Sequence, residues 1–265
     1  MPYGRREVIM LNRIVAKKKD EIARDKLQLP PQELVRRVVP GELSFSKALA
    51  GKSWSLIAEC KIASPVKGRL SNCSIGELAE LYDTNGATAL SILTDSHFCG
   101  SLQHVDEAKA ISRLPVLRKD FIIDEYQLYQ ARLIGADAVL LIAAILTDCQ
   151  IHRYLEVAQQ IGLDCLVEVH SREELERVQQ TAAPVIGINN RDLTTFTTSV
   201  ERTFELLPYC AADRLFISES GIHSPQTAAR LQAAGIRGVL VGEGLVTAPD
   251  IARKVRELSL SEMGE

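Results

Sequence analysis

The sequence lacks several features that would each define a class of protein. No uninterrupted apolar run approaches the roughly 20 residues that a membrane span requires, and the N-terminal stretch has no apolar signal core. The net charge is −3 over 265 residues, so no excess of one sign indicates nucleic acid or a membrane surface as a partner. We therefore expect a soluble globular protein of the cytoplasm.

Cysteine is present, but without the spacing of a metal site or a redox motif. None of the six cysteines forms a C-x-x-C pair, and Cys60 and Cys165 lie inside apolar, strand-like segments. We expect all six to be buried free thiols in a reducing compartment. The predicted strand ends also carry no cluster of His, Cys and carboxylate residues at ligand spacing, which predicts a protein without a metal.

What the sequence does contain is a repeated unit of helix, turn and strand. In four copies a glycine, the preferred residue just past a helix end, precedes an aliphatic run. These copies are Gly86 before Ala89–Leu93, Gly135 before Ala138–Ile142, Gly162 before Cys165–Val169, and Gly235 before Val239–Gly242. Further aliphatic runs at Leu56–Ala58, Val116–Leu117, Val185–Ile188 and Leu215–Ile217 bring the number of predicted strands to eight.

Amphipathic segments with helical spacing lie between these strands. Examples are residues 77–83, 127–134, 152–161, 173–180 and 226–233. Hydrophobic strands separated by helices indicate a parallel sheet covered on its outer face. Eight such units predict an α/β protein with a single closed (β/α)8 barrel, the TIM barrel. A doubly wound open sheet is the alternative, but no Gly-x-Gly-x-x-Gly follows the first strand.

Residues 1–50 stand outside the repeat and predict an N-terminal helical extension packed on the barrel of residues 51–265. One apolar stripe on its first helix consists of Leu11, Ile14, Val15, Ala16 and Ile22. The lysines at 17–19 are predicted to face solvent on the opposite side. Pro30-Pro31 then breaks the chain before a second short helix at 32–39.

Five of the eight predicted strands end in ionisable or amide groups, at the edge where barrels of this kind carry their chemistry. They are Glu59 and Lys61 after strand one, 118–120 after strand three, Glu168 at strand five, 189–192 after strand six, and Glu219-Ser220 after strand seven. Structural ion pairs could explain one or two of these groups, but so many charges at one mouth predict a ligand site. Strand four is apolar from 140 to 146, which indicates a substrate with a flat hydrophobic part.

The last two strands are followed by glycine-containing turns, Ser220-Gly221 and Gly242-Glu243-Gly244. Backbone N–H groups in such turns, together with a helix N-terminus, suit a phosphate group. We expect the amide of Glu243 to face the phosphate and its carboxylate to turn away.

Several motifs together resemble the indole-3-glycerol-phosphate synthase family over nearly the whole chain. They are Ile14-Val15-Ala16-Lys17-Lys18, Glu59-x-Lys61-x-x-Ser64-Pro65-x-Lys67-Gly68, Leu117-Arg118-Lys119-Asp120-Phe121, Gly187-Ile188-Asn189-Asn190-Arg191-Asp192-Leu193 and Ser218-Glu219-Ser220-Gly221-Ile222. The resemblance implies a carbon–carbon lyase, a carboxy-lyase of tryptophan biosynthesis. Its reaction closes the ring of 1-(2-carboxyphenylamino)-1-deoxyribulose 5-phosphate, with loss of carbon dioxide and water.

The resemblance also implies roles for individual residues. Lys119 would be the general acid, Lys61 would lie near the substrate carboxylate, and Glu168 would be the base in dehydration. Glu59 would assist Glu168, Asn189 would hold a substrate hydroxyl, and Arg191 and Glu219 would orient charged groups. Contacts to the phosphate or its surroundings would come from Ser64, Ser220, Gly221, Gly242 and Glu243, and substrate contacts from Phe98 and Phe121. We expect clustered cations and desolvation each to lower lysine pKa values, and leave the net pKa shifts of Lys119 and Glu168 open.

The implied partner is a small sugar phosphate with an anthranilate ring. No cofactor, nucleic acid or membrane is implied, and the chain is expected to be a monomer or a weak homo-oligomer.

Some residues depart from the family pattern. Ile62 and Val66 replace more usual polar residues, Gly244 stands where serine is common, and the loop 94–101 is one residue shorter and keeps only Phe98 of two aromatics.

Two other functions are open at this stage. Another phosphate-binding barrel enzyme, such as a phosphoribosylanthranilate isomerase or a Schiff-base aldolase, would use a Cys-Asp pair or a nucleophilic lysine. A non-catalytic relative would lack one of the lysines or glutamates.

Overall fold

Eight parallel strands close into a barrel in the computed structural model of the protein, which describes residues 4–64, 68–192 and 197–261, with side chains from residue 13 onward. The strands are β1 (Ser55–Cys60), β2 (Ala89–Leu93), β3 (Val116–Lys119), β4 (Ala138–Ile142), β5 (Asp164–Val169), β6 (Val185–Asn189), β7 (Leu215–Glu219) and β8 (Gly238–Val241). Each strand pairs with its neighbours in sequence, and β1 pairs with β8 to close the ring. The predicted closed barrel is confirmed, and the open-sheet alternative is excluded.

Helices cover the outer face and the amino end of this barrel. They are α1 (Gly4–Gln28), α2 (Pro31–Arg37), α3 (Ser44–Ala50), α4 (Ile75–Thr84), α5 (Gln103–Ile111), α6 (Tyr126–Leu133), α7 (Asp148–Gln160), α8 (Arg172–Gln179), α9 (Glu201–Leu206), α10 (Pro225–Ala233), α11 (Glu243–Val246) and α12 (Ile251–Leu258). All four repeat glycines have positive φ, from 62° at Gly162 to 100° at Gly86. Residues with a Cβ rarely adopt this conformation, so the glycines end their helices as predicted.

The barrel has two hydrophobic layers because successive strand residues point to opposite faces. On β1, Leu56 packs against the covering helices, whereas Ile57 belongs to the cluster inside the barrel. Helix α3 adds Phe45 and Leu49 to that interior cluster, and both are fully buried. The backbone N–H of Ser46, on the same helix, donates to the carboxylate of Asp164 at the start of β5. The extension therefore closes the amino end of the barrel through a helix that the sequence analysis did not identify.

The predicted apolar stripe of the first helix is confirmed in part. Ile14, Lys18 and Ile22 are buried, whereas Ala16 is exposed. The prediction that all of Lys17–Lys19 face solvent is wrong for Lys18, because its spacing of four residues from each isoleucine places it on their face of the helix. The side chain of Leu11, also assigned to the apolar stripe, lies outside the described residues.

All six cysteines are free, but they are not all buried. Cys60 and Cys165 are buried within strands as predicted, Cys73 and Cys210 are half-buried, and Cys99 and Cys149 are exposed. The expectation of buried thiols is wrong for the exposed pair, since Cys99 ends the short turn Ser96–Phe98 and Cys149 lies in the first turn of helix α7, so neither is in a strand. Across the described part of the chain, no helix is both long and apolar enough to cross a membrane.

Candidate active site

A lysine surrounded by carboxylates lies inside the barrel at the carboxyl ends of the strands. Lys119 on β3 places its Nζ 3.0 Å from Glu168 Oε2 on β5 and 3.1 Å from Glu219 Oε2 on β7. Glu59 on β1 completes the group, and the three glutamates are 1 to 5 % exposed. All four residues come from alternate strands, so they form one layer of side chains in the barrel, here polar instead of apolar. The structure thus brings four predicted catalytic residues together.

The ammonium of Lys119 is held in its charged form. Burial alone lowers the pKa of Lys119, but the nearby carboxylates of Glu168, Glu219 and Glu59 outweigh burial and raise the pKa above its ordinary value. The expectation that clustered cations lower the lysine pKa values is therefore wrong at Lys119. The sequence showed many charges near one another, but only the fold shows that carboxylates are the nearest neighbours.

The environments of Glu168 and Glu219 shift their pKa values in opposite directions. Burial raises the pKa of Glu168, but Lys119 and His170 outweigh burial, and the net shift is downward. Burial dominates at Glu219 and raises its pKa, while the attraction of Lys119 offsets only part of that effect. Two interacting carboxyl groups with divergent pKa values can serve as one base and one proton reservoir.

His170 lies beside Glu168 and links it to a fourth carboxylate, that of Glu174. Its Nε2 is 3.4 Å from Glu168 Oε1, and its Nδ1 is 3.5 Å from Glu174 Oε2 on α8. Burial lowers the pKa of His170, but Glu174 and Glu168 outweigh burial and raise it. His170 was not predicted as a site residue, although it lies two positions after Glu168 and therefore on the same side of the strand in extended geometry.

Lys61 lies at the rim of the site, beside the aromatic part of the predicted substrate pocket. Its Nζ is 3.5 Å from Glu59 Oε1, as the period-two spacing predicts, and 5.8 Å from the centre of the Phe98 ring. Phe98 belongs to a short 3₁₀ turn, Ser96–Phe98, after β2. Phe121 follows β3 and packs against the interior cluster. Lys61, Phe98 and Phe121 thus lie around one sector of the mouth.

Two glycines in the barrel wall make room for the glutamates. A Cβ at Gly187 on β6 would lie 2.0 Å from Glu219 Oε1, and a Cβ at Gly242 would lie 2.2 Å from Glu59 Oε1. Real Cβ atoms do not approach oxygen so closely, so any side chain at either position would displace a site carboxylate. Gly187 belongs to one of the family motifs but was not predicted as a site residue, because its role depends on the side chain of the neighbouring strand.

The predicted phosphate region lies where β7 and β8 end side by side. Ser220 and Gly221 both have positive φ, at 68° and 79°. Gly242 and Glu243 begin the short helix α11. Ser64 lies in a two-residue strand that pairs with Gly68–Arg69. Pro65 to Lys67 and Leu193, which belong to the predicted motifs, lie outside the described residues.

Not every polar residue at the strand ends points into the barrel. Arg118, Asp120 and Asn190 are buried on the other side of the strands, because they alternate with the inward-facing Lys119 and Asn189. Asn190 Nδ2 donates to Ser218 Oγ and to the carbonyl oxygen of Ser220, both at 2.9 Å. These residues fix the strand ends.

Asn189 and Arg191 lie next to Glu219 along the barrel mouth. Asn189 is the strand partner of Glu219, and its side-chain oxygen accepts the backbone N–H of Arg191 at 3.0 Å. Both side chains are half-buried.

A surface cavity of about 590 Å³ lies elsewhere, between the segment after β3 and helix α7, and none of its lining residues belongs to the lysine and glutamate group. Within the described ranges, no group of three or more His, Cys, Asp and Glu side chains could hold a metal ion.

The fold and the site together define a (β/α)8-barrel enzyme with a buried lysine and three glutamates at the carboxyl ends of its strands. The sequence matches the family "Indole-3-glycerol phosphate synthase" over residues 11–258. It is 47 % identical over 256 residues to the indole-3-glycerol phosphate synthase of Desulforamulus reducens, covering 94 % of this chain and 97 % of that one. The relative of that name from Alkaliphilus metalliredigens is 43 % identical over 255 residues, covering 94 % of this chain and 98 % of the other.

The chain therefore belongs to the indole-3-glycerol phosphate synthase family of tryptophan biosynthesis, as its motifs predict. Its fold is also similar to the crystal structure of 3-hexulose-6-phosphate synthase from Salmonella typhimurium, with a TM-score of 0.64. That match covers 79 % of this chain and 98 % of the other at 14 % identity, so it shows the fold alone.

Proposed function

We propose that this site closes the indole ring of 1-(2-carboxyphenylamino)-1-deoxyribulose 5-phosphate, which makes the protein a carbon–carbon lyase of the carboxy-lyase type. The observation that carries the proposal is the ammonium of Lys119, which is buried between Glu168 and Glu219 and held in its charged form by them. A reaction that begins at a ketone needs such a positioned proton donor.

Ring closure starts when the aromatic carbon that bears the carboxylate attacks the sugar carbonyl. Lys119 hydrogen-bonds the carbonyl oxygen and gives it a proton as the new carbon–carbon bond forms. The substrate carboxylate then leaves as carbon dioxide, and its bonding electrons restore the aromatic ring. Lys61, at the rim beside Phe98, attracts this carboxylate before it leaves.

Dehydration requires a base for the departing proton and an acid for the departing hydroxyl group. Glu168 suits the base, because Lys119 and His170 lower its pKa and keep it ionised. Glu59 assists at the opposite side of the layer, and Lys61, 3.5 Å from Glu59, supplies the proton that leaves with the hydroxyl as water. The raised pKa of Glu219 allows it to keep a proton beside Glu168 and to return it between turnovers.

The two ends of the substrate bind in different sectors of the mouth. Ser64, Ser220, Gly221, Gly242 and Glu243 surround the sugar phosphate, with backbone N–H groups as the principal donors. Phe98, Phe121 and the apolar end of β4 contact the anthranilate ring. Asn189 holds a sugar hydroxyl, and Arg191 orients the charged end of the substrate.

A Schiff-base aldolase on the same barrel would need a neutral lysine as its nucleophile. The raised pKa of Lys119 disfavours the neutral amine. Treatment with borohydride in the presence of the substrate tests this alternative: we expect no covalent adduct on Lys119, and a trapped adduct would support the aldolase.

The decisive experiment is incubation with the proposed substrate, followed by indole fluorescence and by measurement of released carbon dioxide. We expect both products in equal amounts. Carbon dioxide without indole fluorescence, or neither product, would contradict the proposal.

A further inference from the structure

A buried lysine from the N-terminal extension connects helix α1 to the mouth of the barrel. Lys18 is 5 % exposed, and its Nζ lies 2.8 Å from each of three carboxylates: Glu21 on the same helix, Asp95 after β2 and Asp120 after β3. Its neighbours Lys17 and Lys19 are exposed. A lysine in such a place must be paired, because an isolated buried ammonium is strongly disfavoured.

The other oxygen of Asp95 organises the turn that carries Phe98. Asp95 Oδ1 accepts the backbone N–H of His97 at 2.8 Å and lies 2.8 Å from His97 Nδ1. The backbone N–H of Phe98 donates to the carbonyl oxygen of Asp95. The position of the Phe98 ring therefore depends on Asp95.

Asp120 organises the backbone at Phe121, the second aromatic residue, as Asp95 does at Phe98. Its Oδ1, the atom nearest Lys18, also accepts the backbone N–H of Phe121 at 2.8 Å. Its Oδ2 accepts the hydroxyl of Thr94 at 2.6 Å and pairs with Arg118 at 2.9 Å. Asp120 directly follows Lys119, so it also fixes the strand end that presents the proposed acid.

We propose that Lys18 is a positioning residue for the aromatic end of the substrate, acting through Asp95 on Phe98 and through Asp120 on Phe121. This inference rests on the proposed function for the identity of the ligand. One ammonium joins two carboxylates whose remaining contacts hold the two aromatic turns at a fixed separation. Without it, two carboxylates at 1 % and 4 % exposure would lose their shared ammonium: Asp120 would keep the guanidinium of Arg118, whereas Asp95 would keep only its contacts within its own turn.

A different role would be a structural anchor that merely holds α1 on the barrel. The two roles predict different results for ligands with and without an aromatic ring. An anchor affects folding stability and both kinds of ligand alike, whereas a positioning residue affects the aromatic ligand selectively.

The first measurement compares Lys18→Met with Lys18→Arg and with Lys19→Met, an exposed lysine on the same helix. Binding is measured by calorimetry for the alcohol obtained by reducing the substrate ketone, and for inorganic phosphate. We expect Lys18→Met to weaken the aromatic ligand at least tenfold, to leave phosphate binding unchanged, and to raise KM more than it lowers kcat. Lys18→Arg should recover much of the loss, and Lys19→Met should behave as the wild type. Equal losses for both ligands, or none, would overturn the proposal.

A second measurement does not depend on any ligand. Fluorine NMR of the chain labelled with fluorophenylalanine reports the surroundings of each ring, with Phe98→Leu and Phe121→Leu assigning the two signals. We expect both signals to shift or broaden in Lys18→Met while the other phenylalanine signals stay in place; unchanged signals would overturn the proposal. If the wild type fails to bind the aromatic ligand, the proposed function is wrong, but the NMR result still decides the role of Lys18.

Lys18→Met could fold poorly because it leaves Asp95 without its ammonium partner. The double variant Lys18→Met with Asp95→Asn removes both charges. We expect it to recover stability while the aromatic ligand still binds weakly. Full recovery of aromatic binding together with stability would show that the pair acts only on folding.

Discussion

Replacing Lys119 with methionine removes the proposed acid and also the cation that separates two buried carboxylates. Methionine keeps most of the side-chain length but cannot donate a proton. We expect turnover to fall by roughly 10² to 10⁴, the range that general acid catalysis commonly supplies. Phosphate binding should survive, because the turns after β7 and β8 do not involve Lys119.

The same substitution has a cost in stability that follows from the two contacts. At an effective dielectric constant of about 20, unit charges about 3 Å apart attract by roughly 5 kcal/mol. Lys119 makes two contacts of this length, at 3.0 and 3.1 Å, and desolvation of the buried groups offsets much of the attraction. Because removal of one partner from a buried pair costs about 3–5 kcal/mol, we expect a loss of that order in the free energy of unfolding at neutral pH.

The loss of stability in Lys119→Met should depend on pH in a defined direction. In the wild type the pKa of Glu168 is lowered, so its stabilising contribution is present above the ordinary value of 4.5 and is lost as the pH falls toward its folded-state pKa. In Lys119→Met, burial and mutual repulsion raise the pKa of Glu168 and raise further the pKa of Glu219, which already lies above its ordinary value in the wild type, so more stability is lost as the pH rises from 4.5 through the raised values. The difference in stability between the two proteins should therefore grow from pH 5 to pH 8.

Urea unfolding followed by circular dichroism at several pH values measures this difference, and indole fluorescence measures turnover. Lys52→Met, which removes an exposed lysine, is the control and should change neither quantity. Turnover near the wild-type value would show that Lys119 is structural. A stability difference that does not vary with pH would show that the carboxylates are not coupled to Lys119.

Further predictions concern the proposed base Glu168, the neighbouring His170 and metal ions. Glu168→Gln should greatly reduce product formation while substrate binding persists, with a ring-closed intermediate visible in rapid-quench samples; wild-type turnover would remove Glu168 from the mechanism. The pKa of His170 is raised, so its stabilising contribution relative to His170→Gln should be full below its ordinary value of 6.5 and decline as the pH rises through the folded-state pKa. Urea unfolding of both proteins from pH 5.5 to 8.5 checks this, and the opposite trend would refute it. Finally, a strong chelator should leave activity unchanged; activity lost to it and restored by a divalent metal would contradict metal independence.

The fold was predictable because its signals are local and repeat along the chain. Each glycine past a helix end, followed by an aliphatic run, identifies one unit, and eight units close a barrel under general packing rules. Helix α3 was missed because seven residues contain too few helical turns to show a clear period. Its burial depends on contacts with barrel residues that come from strands distant from it in the sequence.

The polar residues of the site were predictable from their positions at strand ends, but their surroundings were not. Period-two geometry places Glu59 and Lys61 on one side, whereas nothing in either segment shows that Lys119 lies between Glu168 and Glu219. The sign of the pKa shift at Lys119 depends on those neighbours. Lys18 illustrates the same limit, because its spacing places it on the buried face while its partners come from two other segments.

The glycines of the barrel wall constrain the order in which this sequence can change. A methyl group at 187 would collide with Glu219, and one at 242 would collide with Glu59. Gly187→Ala should therefore be harmful while Glu219 is present and close to neutral once that glutamate has been shortened to alanine. Gly187 and Glu219 therefore form an epistatic pair, whereas a Cβ at 242 would also lie 3.2 Å from the Cβ of Glu59, which alanine retains. If this barrel evolves toward another reaction, Glu219 must be replaced before Gly187 can be replaced by a larger residue. A mutant library that varies the glycine and the glutamate separately will therefore not contain the combined variant.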